Sequence, residues 1–214
     1  MNQWTHQLWK LIYKLTNFMD RIPGLKQLVS RPAVQSFRKR NLTRYVYGLP
    51  DRRYLEEQII PAILKAGHER ILFVGCDTYT AHIPNQFEAA GVECYTTDIL
   101  PEVAPTGNPD RHVVCDIADY AQHVPANHFD AVLFNGVLGH GVTAERMEQV
   151  GQTLHQVMRP NTYLLIGWNK GTVEDPIAIQ HITDRFTHEE AYGLSARKDF
   201  PKSSHVYDWF RRRD

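Results

Sequence analysis

The spacing of apolar residues changes near residue 70 of this 214-residue chain. Before that point, apolar side chains recur every three or four positions, which is the period of an amphipathic helix. The stripe over residues 4–22 consists of Trp4, Leu8, Leu11, Ile12, Leu15, Phe18, Met19 and Ile22. This pattern predicts a helix with one apolar face.

Breaks in the pattern divide the segment that follows. Pro23-Gly24 ends the first predicted helix, and a second short helix begins at Leu25. A third begins at Asp51, a residue type that caps helices, and runs as far as Ala66. Pro61 lies within it and is expected to kink the helix or split it in two.

From residue 70 onward, short apolar runs alternate with helical stretches. Helices are predicted over residues 80–90 and 144–158. The predicted strands are residues 71–74, 92–97, 112–115, 129–135 and 163–168. The fourth strand is apolar on both faces, which is typical of a parallel sheet covered by helices on both sides. The alternation therefore predicts an α/β fold.

The C-terminal residues depart from this alternation. Residues 177–186 have a helical pattern, whereas residues 192–197 and 205–211 have the pattern of strands. A turn at Pro201-Lys202-Ser203 separates those two strands. A terminal antiparallel hairpin on the parallel sheet is the expected arrangement.

Distinctive residues stand at the carboxyl ends of four predicted strands, namely Gly75, Asp98, Asp116 and Asn135-Gly136. Each alone has a local explanation as a turn, a cap or a partner for buried backbone. Together they lie at the sheet edge where open α/β folds hold their ligands. A glycine turn followed 23 residues later by an acid is typical of a nucleoside site.

At these residues the chain resembles the class I S-adenosylmethionine-dependent methyltransferases. The resemblance covers roughly residues 55–211, and the segments that carry it are residues 70–80, 95–98, 113–117, 129–140 and 157–166. It implies a Rossmann-like domain over residues 51–214, with a mostly parallel seven-stranded sheet and an antiparallel C-terminal strand. It also implies S-adenosylmethionine as cofactor and methyl transfer to a small-molecule or lipid-like acceptor.

The resemblance also implies roles for individual residues. Asp98 would hold the ribose hydroxyls, Asp116 and Ile117 the adenine, and the turn at residues 75–79 the methionine end. The complete set implied to bind the cofactor is Gly75, Cys76, Asp77, Tyr79, Asp98, Ile99, Asp116, Ile117, Asn135 and Gly136. His140 is the candidate general base, because it follows the fourth strand and histidine titrates near neutral pH. The alternative is that His140 only packs or caps the next helix.

Three positions depart from the pattern of the family. Phe73 stands where an acid is usual, and Asp77 and Tyr79 stand where glycines are usual. If they adopt positive φ, each non-glycine residue costs about 1–2 kcal/mol. If the loop follows a different path, Asp77 can hold the cofactor's ammonium group in place of the missing acid. These departures keep open an alternative function as a non-catalytic binding or scaffold protein of the same fold.

Charge is unevenly distributed, although the net charge is zero. Residues 1–53 hold 11 Lys/Arg and two Asp, a balance of +9, and the remainder holds 13 Lys/Arg and 22 acids, a balance of −9. Residues 1–50 are therefore interpreted as a basic, aromatic helical extension. It could pack on the domain, form a lid over the site, or contact a membrane through residues 4–22. Nucleic acid is the least favoured partner because the body is acidic.

Other classes of function have little support in the sequence. Cys76, Cys94 and Cys115 form no Cys-x-x-Cys pair, and the scattered histidines predict no metal site. The Gly-x-Gly-x-x-Gly pattern of nicotinamide enzymes is absent after Gly75. No signal peptide and no run of about 20 apolar residues stands out, so the expected location is cytoplasmic, with peripheral membrane contact as an option.

Overall fold

The computed structural model describes residues 45–139, 142, 146–201 and 203–214, together with Leu8, Leu11, Ile12, Lys14, Leu15, Phe18 and Ser36. The chain divides into two compact units, Met1–Leu55 and Glu56–Asp214. In the first unit, the described residues between 8 and 18 are helical, as their spacing predicts. Helix α1 (Pro50–Tyr54) also belongs to this unit.

A widened helical turn follows α1. Residues Leu55–Ile59 are π-helical, and helix α2 (Ile60–Lys65) comes directly after them. Pro61 is in the first turn of α2, where its missing N–H costs least. The helix predicted over residues 51–66 is thus not split but changes type just before the proline, and a kink there stays a prediction.

The second unit is built on one eight-stranded sheet in the order β3-β2-β1-β4-β5-β8-β6, with β7 also paired to β8. Pairs among β1 to β5 are parallel, and β8 is antiparallel to β5, β6 and β7. The strands are β1 (Arg70–Val74), β2 (Glu93–Asp98), β3 (His112–Val114), β4 (Phe129–Asn135), β5 (Met158–Asn169), β6 (Phe186–His188), β7 (Arg197–Asp199) and β8 (His205–Arg212).

Among the described residues, three short α-helices and two 3-10 helices connect these strands. They are α3 (Ile83–Ala89), α4 (Met147–Val157) and α5 (Gln180–Thr183), with 3-10 turns at Pro101–Thr106 and Ile117–Gln122. All seven residues of β4 are buried, as its two-sided apolar pattern predicts. The predicted Rossmann-like α/β fold is confirmed, with β8 as the antiparallel C-terminal strand.

Several predicted details were wrong. The sheet has eight strands and not seven, because the short β7 pairs with β8 beside β6. Residues 192–197 do not form a strand, since Tyr192 and Gly193 have φ of 55° and 75° and turn the chain there. Of the helix expected over residues 177–186, only the four residues of α5 are α-helical. The helix expected over residues 80–90 begins only at Ile83.

A buried carboxylate joins the C-terminal strands. Asp208 on β8 is fully buried and accepts hydrogen bonds from Trp168 Nε1 on β5 and Arg197 Nε on β7, each at 2.7 Å. His188 Nε2 on β6 lies 2.9 Å from the same carboxylate. Arg197 reaches further and donates to Asp175 at 2.8 Å. These contacts satisfy the buried charge and attach the loop after β5 to the sheet.

Four partly buried histidines make stability depend on pH. Burial lowers the pKa of His68, His112, His128 and His155. The unfolded chain therefore binds more protons than the folded protein, and stability must rise with pH. We expect the urea midpoint to fall as the pH drops from about 7 to about 5, the range in which an unperturbed histidine titrates. A midpoint that is constant over this range would contradict the expectation.

Candidate functional site

A cleft of about 320 Å³ opens at the carboxyl ends of β1, β2 and β4. All ten residues predicted to bind the cofactor line it, which are Gly75, Cys76, Asp77, Tyr79, Asp98, Ile99, Asp116, Ile117, Asn135 and Gly136. Four successive strands bring them together, because parallel strands end at the same edge of a sheet. His140, the candidate base, lies outside the described residues.

Gly75 lets two strand ends approach each other closely. Its φ is 93°, in the region that favours glycine. A Cβ built at this position would lie 2.7 Å from the carbonyl oxygen of Asn135 and 2.7 Å from Val137 Cγ2. The end of β1 can therefore lie this close to the end of β4 only because residue 75 has no side chain.

Asp98 fixes the shape of the cleft at the end of β2. Its Oδ2 accepts from the amide of Cys76 at 2.8 Å, and its Oδ1 accepts from the amide of Leu100 at 2.9 Å. The local explanation as a helix cap is wrong, because Leu100 is the N-cap of the 3-10 helix Pro101–Thr106 and the Asp98 side chain only closes the turn before it. Each carboxylate oxygen can accept a second hydrogen bond, so capacity for a ligand remains on both.

Asp116 has a similar double role at the end of β3. Its Oδ1 accepts from the amide of Ala118 at 2.9 Å and caps the following 3-10 helix. Its Oδ2 lies 3.4 Å from a guanidinium nitrogen of Arg146, which also contacts Asp119 at 3.2 Å. Sequence reasoning missed Arg146, because nothing local marks a residue 30 positions from Asp116 as its partner.

The loop after Gly75 follows its own path. The amide and the hydroxyl of Thr80 both donate to the carbonyl oxygen of Asp77 at 2.9 Å, and the Asp77 amide donates to the same hydroxyl at 2.9 Å. Outside glycine, the described residues with positive φ are Asn127, Asn161 and Tyr192. Asp77 and Tyr79 therefore lie outside the left-handed region, and the strain of the first alternative is absent. That Asp77 holds the cofactor's ammonium group stays a prediction.

Asn135 and Gly167 form the junction between β4 and β5. A Cβ on Gly167 would lie only 2.0 Å from Asn135 Oδ1, so the side chain of Asn135 occupies the space that this glycine leaves. Within the described part of the chain, that buried Oδ1 has no hydrogen-bond partner. This oxygen is therefore enclosed between β4 and β5 and is not exposed in the cleft.

The two thiols of the cleft are unreactive. Burial, followed by the charges of Asp98 and Asp77, raises the pKa of Cys76 to about 12. Burial also raises the pKa of Cys115. Because the thiolate is the nucleophile, neither side chain is suited to covalent catalysis at neutral pH.

A second cavity of about 560 Å³ adjoins the cleft and shares Val142 with it. Its apolar lining consists of Leu138, Val142, Met147, Val173, Ala178 and Ile179. Sequence reasoning missed this cavity, because Val173 belongs to a loop whose Asp175 is held by Arg197, 22 residues further along the chain.

Two other kinds of feature are absent from the part of the chain that the structure describes. These residues contain no group of three or more His, Cys, Asp or Glu side chains arranged to hold a metal ion. None of the described helices has the length and apolar character needed to cross a bilayer.

Comparison with known proteins gives matches in structure but not in sequence. Neither a family model nor a curated protein matches the sequence. Similar solved structures include the N-methyltransferase NodS from Bradyrhizobium japonicum (16% identity, 78% of this chain and 99% of that chain, TM-score 0.59). A SAM-dependent methyltransferase from Archaeoglobus fulgidus has 15% identity over 83% of this chain and 99% of its own, with a TM-score of 0.59.

Two of the similar structures contain S-adenosylhomocysteine. One is NodS in complex with it (15% identity, 89% of this chain and 97% of that chain, TM-score 0.58). The other is 1,6-didemethyltoxoflavin-N1-methyltransferase from Burkholderia thailandensis, which also holds 1,6-didemethyltoxoflavin. It has 18% identity over 86% of this chain and 92% of its own, with a TM-score of 0.54. At these identities the likeness establishes that this chain has the Rossmann-like fold of SAM-dependent methyltransferases.

Proposed function

We propose that the protein binds S-adenosylmethionine in the cleft and transfers its methyl group to a small, largely apolar acceptor. The observation that carries this proposal is the convergence on one cleft of all ten residues that the sequence singled out. The cleft volume of about 320 Å³ also falls within the range of small-molecule sites. Support for the class of cofactor comes from similar structures that hold S-adenosylhomocysteine.

The nucleoside half of the cofactor fits the acidic side of the cleft. The spare acceptor capacity of Asp98 suits the two ribose hydroxyls, and its bonds to Cys76 and Leu100 keep it in position. Asp116 and the backbone of Ile117, in the first turn of a 3-10 helix, would hold the adenine edge. The exposed side chain of Ile99 offers apolar surface for a ring to stack on.

The methionine half fits the glycine turn. Gly75 leaves room for close approach to backbone, while Asp77 and Asn135 supply acceptors for an ammonium group. Asp77 would thus replace the acid missing at Phe73, which is fully buried within β1. For Asn135 the proposed contact is through its backbone, whose carbonyl oxygen lies beside Gly75.

Methyl transfer depends more on aligning the acceptor with the cofactor's methyl group than on reactive side chains. When bound, the cofactor supplies an electrophilic methyl group, so the protein must orient an acceptor and exclude water. The second cavity, joined to the cleft at Val142, would hold that acceptor. Its lining favours an apolar molecule. His140, five residues beyond Asn135 in the sequence, remains the proposed base for acceptors that must lose a proton.

Calorimetric titration with S-adenosylhomocysteine tests the proposal. We expect saturable heat with one site per chain, and no saturable heat with NAD⁺, whose glycine pattern the sequence lacks. Absence of saturable heat at millimolar S-adenosylhomocysteine, with folded protein, would overturn it. A protein that binds this ligand but transfers no methyl group to any acceptor would instead support the alternative of a binding or scaffold protein.

A further inference from the structure

The described helix of the first unit carries an exposed apolar stripe. Leu8, Leu11, Leu15 and Phe18 are helical, and their exposed fractions are 52, 55, 55 and 59%. Their spacing of three, four and three residues places them on one helix face. Four large apolar side chains that are more than half exposed along one face mark an interaction surface.

The charge around this stripe is positive. Residues 1–19 contain two Lys and no Asp or Glu, and Lys14 is helical and exposed beside the stripe. The same stretch contains Trp4, Trp9 and Tyr13, aromatic residue types that favour the boundary between water and lipid. Apolar side chains, lysines and aromatic residues without acids are the combination found in helices that lie in the surface of an anionic bilayer.

The acidic body of the same chain is the main competing partner. It carries a balance of −9 over residues 54–214 and could attract the basic extension. Charge attraction alone, however, accounts only for the lysines, whereas the interior of a bilayer also covers four large apolar side chains. We propose that residues 8–18 dock on anionic lipid bilayers, with the apolar stripe inserted among the acyl chains. This inference is independent of the proposed methyl transfer.

Vesicle flotation of the full chain tests the inference. We expect binding to vesicles of phosphatidylcholine with phosphatidylglycerol, and much weaker binding to phosphatidylcholine alone. In Leu11→Gln/Leu15→Gln the partition coefficient should fall about tenfold or more, because apolar burial supplies most of the affinity. Gln and Leu have similar helix propensities, so the helix is retained and circular dichroism should be unchanged.

Two further variants separate charge from apolar burial. In Lys10→Gln/Lys14→Gln, binding to the anionic vesicles should fall about fivefold for each lysine. The matched control Gln152→Glu/Gln156→Glu adds two negative charges on α4 and should bind as the unmodified chain does. The inference is overturned if no vesicle is bound, or if Leu11→Gln/Leu15→Gln binds normally. Self-association that this variant abolishes, without vesicle binding, would identify a second copy as the occupant and also overturn it.

Discussion

Asp98→Asn should weaken S-adenosylhomocysteine binding about 10- to 100-fold, because hydrogen bonds to a charged group contribute about 1.5–3 kcal/mol each. The carboxylate is placed to accept ribose hydroxyls while it holds the amides of Cys76 and Leu100. Asn preserves the shape of the side chain and one acceptor, so one of the two amide contacts is kept, whereas Ala loses both. Titration calorimetry of the Asn variant therefore tests the ribose contact more directly than the same measurement on the Ala variant.

Asp119→Asn is the matched control for this change. Asp119 is an acid close to Asp116 in the sequence, and it contacts Arg146 and Gln149, but it does not line the cleft. We expect its affinity for S-adenosylhomocysteine to equal that of the unmodified protein. If Asp98→Asn bound the ligand as tightly as Asp119→Asn, the proposed ribose contact would be wrong.

Gly75→Ala should lower the free energy of unfolding by about 2–5 kcal/mol and abolish ligand binding. A side chain at positive φ contributes about 1–2 kcal/mol of this loss. Overpacking contributes the rest, about 1–3 kcal/mol, because the new Cβ would lie 2.7 Å from the Asn135 carbonyl oxygen. Urea unfolding measures the stability, and the same calorimetric titration measures the binding.

Gly91→Ala separates the two contributions. Gly91 has φ of 81°, but a Cβ there meets nothing within 4 Å. In this variant the free energy of unfolding should fall by only about 1–2 kcal/mol, from backbone strain, and ligand binding should be retained. Equal losses of stability in the two variants would show that the close approach of β1 and β4 has no energetic importance.

The fold could be predicted because its signals are local. The apolar run of β4 and the glycine turn after β1 are contiguous in sequence, and each depends on neighbouring residues only. The position of the cleft follows from them, because strand ends of a parallel sheet converge whatever the details of the loops. Asn161 has φ of 61°, a left-handed backbone conformation that Asn adopts more readily than most residues.

Features set by long-range contacts could not be predicted. Val173 reaches the second cavity because Asp175 is held by Arg197, which is bound in turn to Asp208, and no sequence pattern connects these three residues. The loop after Gly75 is an intermediate case. The Thr80 hydroxyl stabilises its turn through the backbone of Asp77, so the loop does not need the glycines usual in the family.

The position of β8 has a consequence for how the protein is made. This strand lies between β5 on one side and β6 and β7 on the other, although all three are synthesised before it. Until residues 205–212 leave the ribosome, β5 has an open hydrogen-bonding edge and the two short strands have no partner. Completion of the sheet therefore has to wait until residues 205–212 are free to pair, and until then the open edge of β5 is exposed to pairing with other chains.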